Sequence, residues 1–329
     1  MRQVTAARFE GEGRIAFQTE ELGPRPGELA RVRVEACALC GSDKRLLRSG
    51  AAVTPGHEIV GVVEELPADA AGLRIGDRVL VYIPLHCGQC AECTAGRTNR
   101  CLRLERLIGW QAPGGFAEIL DLPVRNLIAV PPEFSPTQAV LALDTIGTTA
   151  HGLRMAARAL GGLDGPAVVV GCGPLGLGAV ATLRAMGARS VHATDPVTGR
   201  LDVATRLGAA ALPQPKPRRE FPLVIEASGA APARQTALEL VRPGGAVLLL
   251  GESNDPLVMP ATPDWRRTDA FYIRSFYFPL TEVADNFRLL AAVGAALAAE
   301  LCTPHPFPEL QRTFERFVAG ELVKPVVFF

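Results

Sequence analysis

Four cysteines, Cys87, Cys90, Cys93 and Cys101, crowd together as C-x2-C-x2-C-x7-C. Four thiolates at such spacing can close a tetrahedron around Zn²⁺, and Gly88 and Gly96 let the backbone turn between them. Free thiols and an iron–sulfur cluster are the alternatives. Structural zinc is the reading adopted, because no further liganding element lies nearby and the C-terminal half reads as a nucleotide fold. With four thiolates no coordination position stays open, so this metal would brace a lobe and do no chemistry. A second group is catalytic in type. Cys40 stands in C-G-S-D, and His57 and Glu58 stand in P-G-H-E. Thiolate, imidazole and carboxylate from separate strands or turns are the donor mixture of an open zinc site that keeps one position for water or substrate. By spacing alone, however, Cys40 reads as a buried small hydrophobe and His57 as a hydrogen-bonded core or surface residue.

The third group binds phosphate. A-V-V-V-G-C-G-P-L-G runs from a strand pattern through Gly171, Gly173, Pro174, Leu175 and Gly176 into a helical pattern, and Asp195 ends the next strand at the spacing of a ribose-binding acid. The first glycine permits the tight turn, the second lets a pyrophosphate approach the backbone, and the third lets helix and strand pack closely. Asp195 is expected to accept from the ribose hydroxyls and to repel a 2′-phosphate. Pro196 follows where an NADP site would more often offer Arg or Ser, so NAD is expected. Arg200, on the following helix, flanks the adenine or is a solvated helix charge.

C-G-S-D, G-H-E, the four-cysteine loop, G-G-F-A-E (Gly114 to Glu118) and the later G-x-G-x-x-G stand in the order found in the medium-chain, zinc-dependent alcohol and polyol dehydrogenases. The chain resembles that family over essentially its whole length. The resemblance implies an α/β protein, with a Rossmann-type parallel-sheet domain and a mainly β, chaperonin-10-like catalytic domain. It implies two zinc ions per chain, NAD, and hydride transfer to or from a small-molecule secondary alcohol, polyol or amino alcohol. It assigns the catalytic zinc to Cys40 and His57, with Glu58 beside the metal and able to ligate it when substrate or water leaves. Asp144, seven residues before His151 in LALDTIGTTAHGL, matches the acidic third ligand of bacterial members. An Asp ahead of a helical run is also a common N-cap. The resemblance further gives Ser42 the onward passage of the proton, Asp43 the orientation of the ligand histidine, and Thr148 a place near the nicotinamide.

Two features depart from the family pattern. Arg45 stands where the proton relay often ends in His; it cannot act as a base near neutral pH, so the proton is expected to leave through water or the ribose hydroxyl. The stretch between Cys40 and His57 is shorter than members of that family usually have, which suggests a trimmed lid and a pocket open to substrates bulkier than ethanol. Trp110 and Phe278 are candidate pocket walls or core residues. A metal-free enone or quinone reductase of the same fold would lack Cys40, His57 and Asp144. An NAD-binding sensor or structural protein without turnover is the reading that the missing relay histidine favours. The family forms dimers and tetramers, so a homodimer or homotetramer is expected.

These groups must be positioned by two kinds of element. To about Val130 the chain alternates short strands (RVRVEAC, EIVGVVEEL, DRVLVYI, GFAEIL) broken by Gly and Pro, and reads as all-β. From about Pro136, apolar strands alternate with helices, the pattern of a parallel sheet with right-handed crossovers. The last ~55 residues mix strand and helix and are read as completing the first domain, with boundaries at 1–135, 136–275 and 276–329. Pro213, Pro215, Pro217 and Pro222 predict an extended connection in place of a crossover helix.

At 329 residues, the chain is about twice a typical domain of ~150. Hydrophobic residues at 48% and charged residues at 21% suit full cores and exclude a disordered chain. The 34 Lys and Arg cancel the 34 Asp and Glu, so no net field favours nucleic acid or an anionic membrane. The uncharged run from Gly165 to Leu183 is long enough to span a bilayer, but its five glycines and Pro174 suit a turn better. A charged N-terminus and few cysteines lead to the expectation of a cytoplasmic protein.

Overall fold

The computed structural model describes residues 2–263 and 265–329. It divides into two units, Met1–Leu143 with Leu301–Phe329, and Asp144–Glu300. The first unit is built on a sheet whose central strand, Ala30–Ala38, is nearly all buried because its Ala and Val side chains pack on both faces. Antiparallel to it run Glu58–Glu65 on one edge and, sharing the other edge, Ile119–Leu122 at its start and Lys324–Phe328 at its end. The full order is Cys302–Pro306, Lys324–Phe328, Ala30–Ala38, Glu58–Glu65, Arg78–Val81 and Leu127–Ala129. A hairpin of Gln3–Gly11 and Arg14–Glu21 forms a separate two-stranded sheet. The last two strands of the chain therefore extend the sheet built on Ala30–Ala38.

This unit is not purely β. A helix, Asp43–Ser49, starts on the last residue of C-G-S-D, and short helical turns cover Pro136–Ala139 and Val140–Ala142. Ser135 and Gln138 form a reciprocal capping box there, with Pro136 at the first helical position. These last turns pack on strands Ala30–Ala38 and Glu58–Glu65, so the unit reaches Leu143 where the sequence boundary stood at 135.

The second unit holds a parallel sheet in the order Ala210–Ala211, Ser190–Thr194, Pro166–Val170, Phe221–Glu226, Val241–Leu249 and Phe271–Arg274. Numbered along the chain this is 3-2-1-4-5-6, the doubly wound order with a topological switch point between the first and fourth strands. Val168, Val169, Val224, Ile225, Val247 and Leu248 are fully buried, as expected of strands covered on both faces. The unit extends to Glu300 instead of ending at 275. Its long helix, Val283–Leu301, is tied back through Asn286, which accepts from Arg154 of helix Thr149–Leu160 at 3.1 Å. No helix forms between Pro213 and Phe221, in accord with the proline spacing. Among the described residues no helix is long and apolar enough to cross a membrane; the glycine-containing run from 165 to 183 is a strand, a turn and part of helix Pro174–Ala185.

Candidate metal centre and nucleotide cradle

The four clustered thiols converge. Cys101 Sγ lies 3.6 Å from Cys87 Sγ and 3.9 Å from Cys90 Sγ, and all four sulfurs lie within 4.8 Å of one another. Zinc–sulfur bonds of about 2.3 Å require ligand separations of about 3.8 Å in a tetrahedron, and the 3.6 and 3.9 Å separations are close to that value. Amides point at the sulfurs: Cys87 N–H donates to Cys101 Sγ at 3.3 Å and Leu102 N–H to Cys90 Sγ at 3.4 Å. Such donors favour thiolate. With the amide of Cys93 as the largest cause, they bring Cys90 down to about 6, while burial pushes Cys93 up to about 12. The span before Cys101 is pinned by Glu92, whose carboxylate accepts from Arg97 and Arg100 and is held at about 2.

The second donor set also gathers. Cys40, His57, Glu58 and Asp144 each offer one ligand atom within 4.8 Å of the others. Cys40 follows strand Ala30–Ala38, and the turn after it is closed by Asp43, whose Oδ2 accepts from Cys40 N–H at 2.9 Å. The other oxygen, Oδ1, lies 3.1 Å from His57 Nδ1. One buried carboxylate thus lies against both the cysteine turn and the imidazole. Ser42 caps helix Asp43–Ser49 by position but makes no side-chain cap bond, so its hydroxyl is not consumed by the helix. Gly56, at φ 97°, brings His57 against the Gly114–Phe116 turn; a Cβ there would lie 2.8 Å from Phe116 N.

Asp144 does not cap a helix. It begins a π-helical turn, Asp144–Thr148, and the following helix Thr149–Leu160 has Thr148 at its N-cap. Single π turns recur at functional sites because the extra residue redirects a side chain. Thr148 Oγ1 donates to Asp144 Oδ1 at 3.2 Å, a contact that steadies the carboxylate. Within the same unit the turn meets helix Pro174–Ala185 backbone to backbone: a Cβ on Gly178 would sit 2.2 Å from Thr145 O.

The glycine loop has the geometry its spacing predicts. Gly171 adopts φ 96° and a Cβ there would meet Ser228 at 2.8 Å; a Cβ on Gly176 would fall 1.8 Å from Gly171 O. A Cβ on Gly173 would meet nothing within 4 Å, so the room above it is open to a phosphate at the helix N-terminus. Pro174 occupies N1 and Leu175 follows it in the first turn. Asp195 accepts from Cys172 N–H at 2.7 Å and from Val197 N–H at 2.8 Å, which aims its carboxylate along the loop. The Arg200 charge is near enough to oppose the combined effect of burial and Asp195 that lifts the Cys172 thiol to about 12.

Residues 26–132 match the family described as "Alcohol dehydrogenase GroES-like domain" and residues 174–287 match "Zinc-binding dehydrogenase". The chain is 31% identical to L-galactonate-5-dehydrogenase of Escherichia coli K12, over 96% of each chain. It belongs to the zinc-dependent medium-chain dehydrogenases. L-threonine 3-dehydrogenase of Deinococcus radiodurans is 32% identical, over 96% of this chain and 95% of that one. The solved alcohol dehydrogenase TADH from Thermus sp. ATN1 superposes with a TM-score of 0.81 at 29% identity, covering 98% of this chain and 99% of that one. As a medium-chain dehydrogenase the chain is an oxidoreductase of small-molecule alcohols that uses zinc and a nicotinamide cofactor.

Two features of this dehydrogenase, the Lys324–Glu58 pair and the π turn, escaped the sequence reading. Lys324, one of three lysines in the chain, forms a fully buried ion pair with Glu58. A lysine alone in the apolar run LVKPVVFF was the available signal, since such a charge is rarely buried without a partner. Trp110, named by the sequence as a candidate wall or core residue, is half-buried with its ring centroid 5.6 Å from that of His57. Phe278, in contrast, is buried and stacks on Tyr277 at 4.5 Å. The π turn has no sequence signature distinct from an α-helical one.

Proposed function

We propose that this chain is an NAD-dependent zinc alcohol dehydrogenase, with two zinc ions per chain, acting on a secondary alcohol, polyol or amino alcohol. The carrying observation is the convergence of Cys40, His57, Glu58 and Asp144 donor atoms within 4.8 Å, a soft and hard donor mixture suited to a zinc with an open position. Bound zinc supplies Lewis acidity toward the substrate hydroxyl, and bound NAD accepts the hydride. Cys40, His57 and Asp144 hold the cation, and Asp43 keeps His57 Nδ1 occupied so that Nε2 is the ligand atom. Ser42 moves the hydroxyl proton outward, to water or ribose, because Arg45 cannot accept it. Ser42 would thus carry the proton that leaves the carbinol toward solvent when the carbinol is oxidised to a ketone.

Lys324 holds Glu58 as a reserve carboxylate whose charge is already balanced. Thr148 steadies Asp144 as well as lying near the nicotinamide. Gly171, Gly173, Pro174, Leu175 and Gly176 cradle the pyrophosphate, Asp195 accepts from the adenosine ribose and disfavours NADP, and Arg200 flanks the adenine. Cys87, Cys90, Cys93 and Cys101 hold the structural ion. The sequence boundaries at 135 and 275 become 143 and 300 in this reading, with the protein a cytoplasmic homodimer or homotetramer; a light-scattering mass near 34.9 kDa contradicts the assembly. L-galactonate and L-threonine, named in two relatives, each pair a secondary carbinol with a carboxylate, and a substrate of that kind is within the proposed class. Zinc counting combined with an NADH-absorbance screen over alcohols tests the reading: two zincs with turnover sustain it, and one zinc without turnover overturns it.

A further inference from the structure

The turn that carries Asp144 is held from one side by the nucleotide helix. Asp144–Thr148 is a π turn, and helix Thr149–Leu160 continues from it. Helix Pro174–Ala185 meets that turn at Gly178, where a Cβ would lie 2.2 Å from Thr145 O and 2.9 Å from Thr145 Cγ2. Thr149 Oγ1 donates to Leu175 O at 3.5 Å, so the first turns of the two helices also touch. Thr145 is fully buried, as is Thr182, four residues on from Gly178 along the same stripe of the helix. The Oγ1 atoms of both meet no hydrogen-bond partner among the described residues. Sealed hydroxyls of this kind cost free energy, so steric fit against bare backbone, and not their own polar bonding, sets where the turn sits.

The start of the same helix is the phosphate seat. Gly176, two residues before Gly178, packs on the glycine loop, where a Cβ would fall 1.8 Å from Gly171 O. At about 1.5 Å of rise per residue, only ~3 Å of helix separates that contact from the one on Thr145. We infer that Gly178 is a positioning residue: it lets the helix that seats the pyrophosphate bear directly on the turn that aims Asp144, so that filling the nucleotide cradle tightens the metal site. This rests on the dehydrogenase reading above, with Asp144 as a zinc ligand. A π turn carries one residue more than an α turn, and without the clamp it winds back to α and swings Asp144 away from the other donors. Backbone meets backbone at Gly178, so no side chain is there to absorb a movement of the helix. The coupling is reciprocal: the factor that the nucleotide adds to metal affinity is the factor that the metal adds to nucleotide affinity.

The test titrates cobalt(II) into protein whose four clustered cysteines are already filled with zinc, with and without ADP-ribose, which fills the cradle but brings no nicotinamide to the metal. The thiolate-to-cobalt absorption of Cys40 reports metal binding, and calorimetry gives the affinity of ADP-ribose with and without cobalt. In the wild type ADP-ribose should tighten cobalt about 10-fold, and cobalt should tighten ADP-ribose by the same factor. In Gly178→Ala cobalt should bind at least about 10-fold more weakly, and the coupling factor should fall to within about 2-fold of unity. Leu238→Ala, in the core beneath helix Ala231–Leu240, is the comparison for a loss of stability alone: it should lower Tm and keep both values. Should Gly178→Ala fail to fold, Thr145→Ser removes the Cγ2 methyl seated on Gly178 with no added bulk, and the coupling factor should fall at least about 3-fold. Cobalt binding in the wild type with a coupling factor within about 2-fold of unity, or variants at 178 and 145 that couple as the wild type does, overturns the inference and leaves the dehydrogenase reading standing. No cobalt beyond the zinc-filled cluster in the wild type sinks both.

Discussion

Replacing Lys324 with Met removes the cation that faces Glu58. Both side chains are sealed from water, at 1% and 0% exposure, and face each other as an ion pair. Methionine fills much of the lysine stem's volume, so the change removes charge and retains most of the packing. Deleting one partner of a buried pair costs about 3–5 kcal/mol, because the surviving charge stays desolvated. That loss is expected in the metal-free protein. In the zinc-loaded protein it should shrink, since the Glu58 carboxylate lies within 4.8 Å of the other donor atoms and can turn its charge to the ion. A second variant, Lys324→Met with Glu58→Gln, removes both charges and should regain at least half of the loss. Urea unfolding of chelated and zinc-loaded samples, with the slope m checked for constancy, measures all three quantities. A loss under about 1 kcal/mol in the chelated single variant, with no recovery in the double, refutes the reasoning.

Other outcomes follow from the same geometry. Gly173→Ala should fold normally, because its Cβ meets nothing, yet raise Kd for NAD at least about 10-fold by crowding the phosphates; Gly176→Ala, 1.8 Å from Gly171 O, should lower Tm as well as binding, and calorimetry separates the two. Asp195→Gly with a neighbouring Arg should shift kcat/KM toward NADP; no shift means that Asp195 does not read the ribose. Asp144→Ala should reduce bound zinc from two to nearly one per chain by atomic absorption, and retention of both ions defeats its role as ligand. Burial would raise the Glu282 carboxyl, but His151 Nδ1 at 3.0 Å and Arg154 at 2.6 Å more than reverse this and hold it below the usual 4.5. A depressed acid contributes stability above its unfolded pKa and loses it as pH falls, so Glu282→Gln should cost about 1–3 kcal/mol near pH 7, and the gap to wild type should close below pH ~4.5 in urea titrations.

What the sequence disclosed follows from how far apart the cooperating residues lie. The structural metal donors sit in one short loop, so spacing alone described a closed tetrahedral site. The glycine loop was equally legible, since each glycine answers a local steric demand; the alternating patterns gave a parallel sheet but not its strand order. Cys40 and His57 were candidates by type but needed the family resemblance to join them, and Asp144 came from the resemblance alone. Its cap alternative failed because a π turn, stabilised by close packing of Gly178 on Thr145, replaced the helix start. Lys324 lies 266 residues from Glu58, and no local pattern links a C-terminal strand to one in the first quarter of the chain. Both domain boundaries moved for tertiary reasons. Pro136–Leu143 packs on the first sheet, and Val283–Leu301 is held to the second unit by side chains.

The central claim is a second zinc with an open position, held by Cys40, His57 and Asp144. Anomalous diffraction at the zinc edge from crystals of the protein as purified tests it most directly. Two peaks per chain are expected, one among Cys87, Cys90, Cys93 and Cys101 and one within about 2.0–2.4 Å of Cys40, His57 and Asp144 donor atoms. Signal confined to the four clustered cysteines, in crystals grown with zinc present, contradicts it.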